Sequence, residues 1–362
     1  MIRRNVDTPL YVCIIGVILL HTTMFISCKN QNDAIEPLFI TEKVPFDSDD
    51  PAIWINYENP SMSFVIGTDK GGEDGIGGLY VFDLQGRMIE EKCIKNLHRP
   101  NNVDVAYGFN YSGSKIDIAV CTERNKNKIR IFKLPEMTPI DAGGIEVFQG
   151  EQDRSPMGIA LYKDSVNNKV YAIISRKSGP KVGYLAQYLL SENTNGNVVG
   201  VLVRKFGKFE GNKEIEAVAV DNELGYVYYS DEGFGVRKYF AHPDSGNHEL
   251  AVFAKSDVKE DHEGISIYKI DQSTGYILLS DQQSDQFNVY PREGEKNNPH
   301  AHNLIKKVKV KATESDGSEV ISYSIMPHFP DGLFVAMSTD GTFHYYSWNQ
   351  ISGGELKSKN EK

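Results

Sequence analysis

The sequence predicts an all-β protein, a six-bladed β-propeller, and three observations carry that prediction. Short runs of β-forming residues bounded by Gly, Asn and Asp turns fill the chain after residue 40, with little helical periodicity. The runs group into six triplets that recur at a period of roughly fifty residues, the mark of a blade repeat. Acidic residues recur near the start of the first run in five of the six triplets.

The first triplet is Pro51-Ala52-Ile53-Trp54-Ile55, Phe64 to Thr68, and Leu79 to Phe82. Val103 to Tyr107, Asp117 to Thr122, and Ile129 to Phe132 make the second. The third is Gly158 to Tyr162, Val170 to Ser175, and Ala186 to Leu189; the fourth is Ala217 to Val220, Tyr226 to Ser230, and Val236 to Phe240. Ile265 to Tyr268, Tyr276 to Ser280, and Phe287 to Tyr290 form the fifth. The sixth is Ile321 to Met326, Leu333 to Ser338, and Phe343 to Tyr346. Each blade is expected to add a weaker outer strand, and stacking in a ring supplies the core that a lone blade lacks. Lys306, Lys307, Lys309 and Lys311 alternate with Val308 and Val310, the pattern of an outer strand with one wet face.

Composition agrees. The 362 residues are 40% apolar and 24% charged, and 19 Tyr and 17 Phe stand against two Trp. A formal charge of −10 argues against a nucleic-acid partner, which calls for a basic face. Before the repeats, Arg3 and Arg4 precede an apolar run from Leu10 to Ile26, broken by His21-Thr22-Thr23 and ending at Ser27-Cys28. That run is too short and too mixed for a membrane span and reads as an export signal. A small residue before Cys resembles a lipobox, although Phe25 departs from its usual aliphatic residue. Residues 1–27 are therefore expected to be a lipoprotein signal, with Cys28 lipidated and the chain exported and anchored to a bacterial membrane, outer membrane or periplasm. Residues 28–39 read as a tether, 40–350 as the propeller and 351–362 as a loose polar tail. Cys93 and Cys121 read as two buried free thiols, with a disulfide as the alternative.

The acids carry the chemistry. Asp50, Asp104, Glu216, Glu263 and Glu319 sit near the starts of first strands. Asp69-Lys70, Glu123-Arg124, Arg176-Lys177, Asp231-Glu232 and Asp281-Gln282 follow the second strands. Equivalent positions of different blades meet around a propeller axis, so these groups are expected to converge at one end of the channel. Converging carboxylates are tolerated when cations sit between them, and hard oxygen ligands in flexible geometry suit Ca²⁺. No Cys/His spacing suits zinc. Lys70, Arg124 and Lys177 would then turn an acidic pore into an anion site. The competing reading gives the same acids only turn roles. His262 reads equally as a packing residue or a ligand, and His300 and His302 as a solvated loop. Gly71 to Gly78 reads as a hairpin, since it leads into no helix.

Asp49-Asp50-Pro51-Ala52-Ile53-Trp54 and Gly78-Leu79-Tyr80-Val81-Phe82-Asp83-Leu84-Gln85-Gly86 resemble motifs of the β-propeller phytases. Asn101-Asn102-Val103-Asp104, Glu263-Gly264-Ile265 and Asp331-Gly332-Leu333-Phe334-Val335-Ala336 continue the likeness in order through the later blades. The resemblance implies a monomeric, calcium-dependent phosphatase that releases phosphate from phytate (myo-inositol hexakisphosphate), of the bacterial 3-phytase kind. It implies that Lys70, Arg124 and Lys177 bind phosphate, with Gln282 at a neighbouring phosphate site. It implies Asp50, Glu216, Glu232, Asp261, Glu263 and Asp316 as ligands for several calcium ions, Glu216 and Glu232 also serving catalysis. The implied mechanism is direct attack of a metal-bound water on phosphorus. Two positions depart from the family pattern: Met157 replaces a Tyr, and Ser178 replaces an acid. A calcium-dependent sugar lactonase and a non-catalytic surface-binding propeller remain as alternatives.

Overall fold

The computed structural model describes residues 1–2 and 33–360. The chain divides into two compact units, Met1–Asp33 and Ala34–Lys362. The first lies almost wholly outside the described residues, as do the proposed signal and Cys28. The second is the propeller. Among the described residues no helix is long and apolar enough to cross a membrane.

Six antiparallel sheets make six blades. The first joins Ser48–Trp54, Phe64–Asp69, Ile76–Phe82 and Ile94–His98, and the second joins Pro100–Tyr111, Ser114–Glu123, Lys128–Leu134 and Ile145–Glu146. Pro156–Asp164, Lys169–Arg176, Val182–Glu192 and Val198–Lys208 form the third; Val218–Asp221, Tyr226–Asp231, Gly235–Phe240 and Ala251–Phe253 form the fourth. The fifth is His262–Lys269, Gly275–Asp281, Gln286–Pro291 and Lys306–Lys309. The sixth takes Ser318–Ile321, Leu333–Ser338 and Thr342–Ser347 from the end of the chain, and its outer strand, Phe39–Ile40, from the beginning. Phe39 pairs with Tyr345 and Ile40 with His344, so backbone hydrogen bonds close the ring.

The core lies between blades. Six apolar clusters fill the six junctions: Ala52, Ile66 and Leu79 of the first blade meet Ala119 and Phe132 of the second, and the last cluster packs Val65 and Phe82 against Val335 and Phe343. Each middle strand has one face in each of two junctions. Both faces are dry, so runs such as Phe64-Val65-Ile66 are continuously apolar.

Four features differ from what the sequence suggested. The inner strand of the sixth blade is Ser318–Ile321, earlier than the apolar run suggested, because Ile325 instead bridges Phe329 in a turn. The tether is shorter: Ile35 already bridges Val310, and Phe39–Ile40 is sheet. The tail is docked rather than loose. Leu356 is buried, Trp348 donates to the Lys357 carbonyl at 3.1 Å, and Asn360 donates to Asp331 at 2.9 Å. His302 is buried, with Nδ1 2.7 Å from the Pro291 carbonyl and Nε2 3.1 Å from Lys238 Nζ, so it fastens its loop instead of facing solvent. Cys93 and Cys121 are free thiols, the first half-buried and the second buried.

Candidate active site

One local device places the site. In the first blade Ser48 pairs with Asp69 and Pro51 with Gly67, so three steps on the inner strand match two on its partner. The same one-residue bulge recurs at Pro100/Val103, Pro156/Ile159 and His262/Ile265. A bulge re-aims the side chains it carries. Its first position holds Asp49, Asn101, Met157 and Glu263; by register, Glu216 and Asp316 are the equivalents in the fourth and sixth blades.

Hydroxyl groups anchor the bulges across blade junctions. Thr122 Oγ1 donates to the Met157 carbonyl at 2.7 Å, Ser175 Oγ to Ile215 at 2.6 Å, Ser230 Oγ to Glu263 at 2.7 Å and Ser280 Oγ to Ser315 at 2.7 Å. Each lies one residue before the end of its second strand. The strand-terminal residue then holds the loop leading into its own blade: Asp69 accepts from the Asp47 and Gly71 N–H groups, Glu123 from His98, Asp231 from Glu210 and Asp281 from Lys259. The next residue faces the site. The backbone N–H groups of Lys70, Arg124, Lys177 and Glu232 donate to the carbonyls of Asp47, Arg99, Ser155 and Glu214, which confirms that these four occupy equivalent blade positions.

A basin of about 650 Å³ opens there, lined by Lys70, Lys177, Ser178, Lys213, Glu214, Glu216, Glu232, Asp261, Glu263, Gln282 and Asp316. Lys70 Nζ lies 3.1 Å from Asp49 Oδ1 and 3.2 Å from Asp316 Oδ2. Burial works to lower its ammonium, but Asp49, Asp316, Glu216 and Asp47 outweigh that and raise it above the ordinary lysine value. Lys177 Nζ pairs with Glu214 Oε2 at 2.6 Å, and Lys213 pairs with Asp261. Asn101 bridges two acids, donating to Asp49 Oδ2 at 3.0 Å and Glu216 Oε1 at 2.9 Å. Gln282 donates to Asp316 Oδ1, and Gln283 to Asp261 Oδ2 at 2.7 Å.

The acids crowd one another. Burial, then Asp49, raises the Glu216 carboxyl to about 8; burial, then Glu214 and Glu216, raises Glu232 to about 9. Burial and Asp49 lift Asp316 to about 6, and burial with Glu232 and Glu216 lifts Glu263 well above the carboxylate range. Glu232 Oε1 and Glu263 Oε2 are buried without a hydrogen-bond partner. Oxygens of Glu214, Glu216 and Glu232 lie within 4.8 Å of one another, close enough to share a metal ion. This donor set is all oxygen, and it fits a hard cation such as calcium rather than zinc.

Of the residues singled out from the sequence, the basin brings together Lys70, Lys177, Glu216, Glu232, Asp261, Glu263, Gln282 and Asp316, while Asp50 and Arg124 lie outside its lining. Asp50 is not in the basin. Its carboxylate accepts from the Val103 N–H of the next blade at 3.0 Å, and it lines the central cavity of about 1160 Å³ with Asp104 and Glu319. The five first-strand acids therefore split, with only Glu216 and Glu263 reaching the basin. Asp49, not Asp50, meets Lys70, because it holds the first bulge position. The second position abuts the next blade; a Cβ at Gly317 would fall 2.5 Å from Asp50 Oδ1. Arg124 lies beside the basin rather than in its lining. Its Nη2 meets Met157 Sδ and its Nε is buried without a partner. Burial lowers its guanidinium, while Glu216 and Asp49 pull the other way. His262 is a packing residue, bonded to the Ala254 carbonyl at 2.9 Å. Glu214 and Lys213 escaped sequence reasoning because they precede the first β run of their blade, on the same entry loop that carries Asp47, Arg99 and Ser155 in the other blades, and those loops share no residue type. The small hydroxyl that precedes the strand-terminal residue in the first five blades was a legible signal for the register.

A sequence model of the family described as phytase matches residues 26–352. A 3-phytase of Bacillus subtilis (strain 168) is 30% identical over 330 residues, covering 84% of this chain and 80% of its own. A chain in a crystal structure of the mitotic checkpoint complex overlays with a TM-score of 0.47 at 9% identity, over 94% of this chain and 99% of its own, a likeness too distant to bear on fold or function. The fold is a six-bladed propeller, and the family match makes the chain a hydrolase acting on a small phosphorylated molecule. The chain belongs to the phytase family.

Proposed function

We propose that this protein is a calcium-dependent phytase of the 3-phytase type, releasing phosphate from phytate by direct attack of water. The observation that carries this reading is the basin itself: six carboxylates and three lysines line one cleft, and two of the carboxylate oxygens are buried without partners. Glu214, Glu216 and Glu232 would hold one calcium ion, and Asp261, Glu263 and Asp316 supply oxygens for others. Bound there, calcium offsets phosphate charge and makes an attacking water more acidic. Lys70 and Lys177 present positive charge to the phosphate from two blades, and Arg124 adds a guanidinium from the blade between them. Gln282 offers an amide to a neighbouring phosphate. Among the described residues the basin lining holds Ser178 but no His to activate it as a nucleophile, which supports water as the attacking group.

Phosphate release separates this reading from the alternatives. Purified protein supplied with calcium is expected to release inorganic phosphate from phytate and to leave sugar lactones intact. Lactone opening without phosphate release would overturn it, as would inertness toward both.

We further propose that the protein is exported, lipidated at Cys28 and otherwise monomeric. Arg3, Arg4 and the apolar run ending at Ser27-Cys28 support export and lipidation. Closure of all six blade junctions within one chain supports the monomer. Labelled fatty acid is expected in the wild type and absent from Cys28→Ala; equal labelling would contradict the anchor.

A further inference from the structure

Lys213 stands on the loop entering the fourth blade and lines the basin, yet its side chain is 46% exposed. Its ammonium is paired with Asp261, whose side chain is 11% exposed and whose other oxygen accepts from Gln283. It is one residue from Glu214, which Lys177 pairs from the far side. Two lysines thus flank the acid cluster, each holding a carboxylate of the proposed metal sites. An oxygen held by an ammonium is not free for a metal ion until that pair parts. Once it parts, a long flexible stem with three donors can turn to another anion.

We propose that Lys213 is a tethered counter-cation. It occupies Asp261 while calcium is absent, and it turns to a non-scissile phosphate of the substrate once calcium takes that carboxylate. This inference rests on the calcium-phytase reading above. It makes one side chain act in opposite directions on two affinities: it weakens calcium binding and strengthens phytate binding. A polyphosphorylated ring presents several anions beyond the one being hydrolysed, and a base at the rim serves those. Its removal therefore acts on KM rather than kcat.

The test uses Lys213→Ala and Lys213→Arg, with two readouts. Calcium affinity of the metal-free proteins is measured by calorimetry without substrate, and KM and kcat are measured on phytate at saturating calcium. An ion pair open to solvent at its lysine end is worth on the order of 1 kcal/mol, or about fivefold in a binding constant. Lys213→Ala is expected to bind calcium up to about fivefold more tightly and to raise KM by a similar factor, with kcat within about twofold. Lys213→Arg, which keeps the charge, is expected to stay near wild type in both. Unchanged or weaker calcium binding by Lys213→Ala overturns the inference, as does a loss confined to kcat. A wild type that neither binds calcium nor hydrolyses phytate overturns the phytase reading as well.

Discussion

Arg124→Ala is expected to fold as the wild type does and to lose on the order of 100- to 1,000-fold in phytate turnover. Among the described residues Arg124 makes no ion pair, so truncation leaves no carboxylate stripped of its cation. Its guanidinium meets only the Met157 thioether, a weak acceptor, and its Nε is buried with nothing to bond. Guanidinium donors held in a partly buried place without an acceptor are suited to an incoming anion. Arg124 also occupies the blade position equivalent to those of Lys70 and Lys177, with its backbone tied to Arg99 as theirs are to Asp47 and Ser155. Arg124→Lys keeps the charge but loses the planar fork, so it should recover only part of the rate. Turnover numbers for the purified variants, alongside their melting curves, check this. A folded Arg124→Ala protein within a few-fold of wild type would remove Arg124 from the site.

Lys70→Met is expected to damage stability as well as activity. Lys70 is 12% exposed and lies near three carboxylates, Asp49 at 3.1 Å, Asp316 at 3.2 Å and Asp47 at 3.7 Å. Asp49 itself is 1% exposed. Removing one partner of a buried ion pair leaves the other charge uncompensated, which typically costs about 3 kcal/mol or more. The metal-free variant should therefore unfold at lower urea than the metal-free wild type. If cations serve the same acids, calcium should restore more stability to the variant than to the wild type, because it supplies the missing positive charge. Urea melts of both proteins with and without calcium decide it. Equal metal-free stability would mean that these acids are satisfied by something other than Lys70.

How much of this was legible follows from what sequence encodes at each level. Blade number and most strands could be read because both faces of the middle strands are buried, giving unbroken runs such as Tyr226 to Ser230. The outer strand of the sixth blade could not, since Phe39–Ile40 is two residues long and its partner lies at the opposite end of the chain. In the site, Lys70, Lys177, Glu232 and Gln282 were legible because each follows a second strand. The choice between Asp49 and Asp50 was not. Adjacent strand residues face opposite ways, and only the bulge decides which of two consecutive acids looks into the basin. The pairings of Lys213 with Asp261 and of Asn101 with Glu216 link different blades, a level that one blade's pattern does not carry.

If the basin acids serve phosphate release by holding calcium, removing the metal should stop the reaction. The measurement that bears on it most directly is the rate of phosphate release from phytate by chelator-stripped protein as calcium or magnesium is titrated in. Negligible release is expected without metal, with a saturable return on adding calcium. Magnesium should restore less, because it favours fewer protein ligands and strict octahedral geometry. Wild-type rates from the stripped protein, unchanged by added calcium, would contradict a role for calcium.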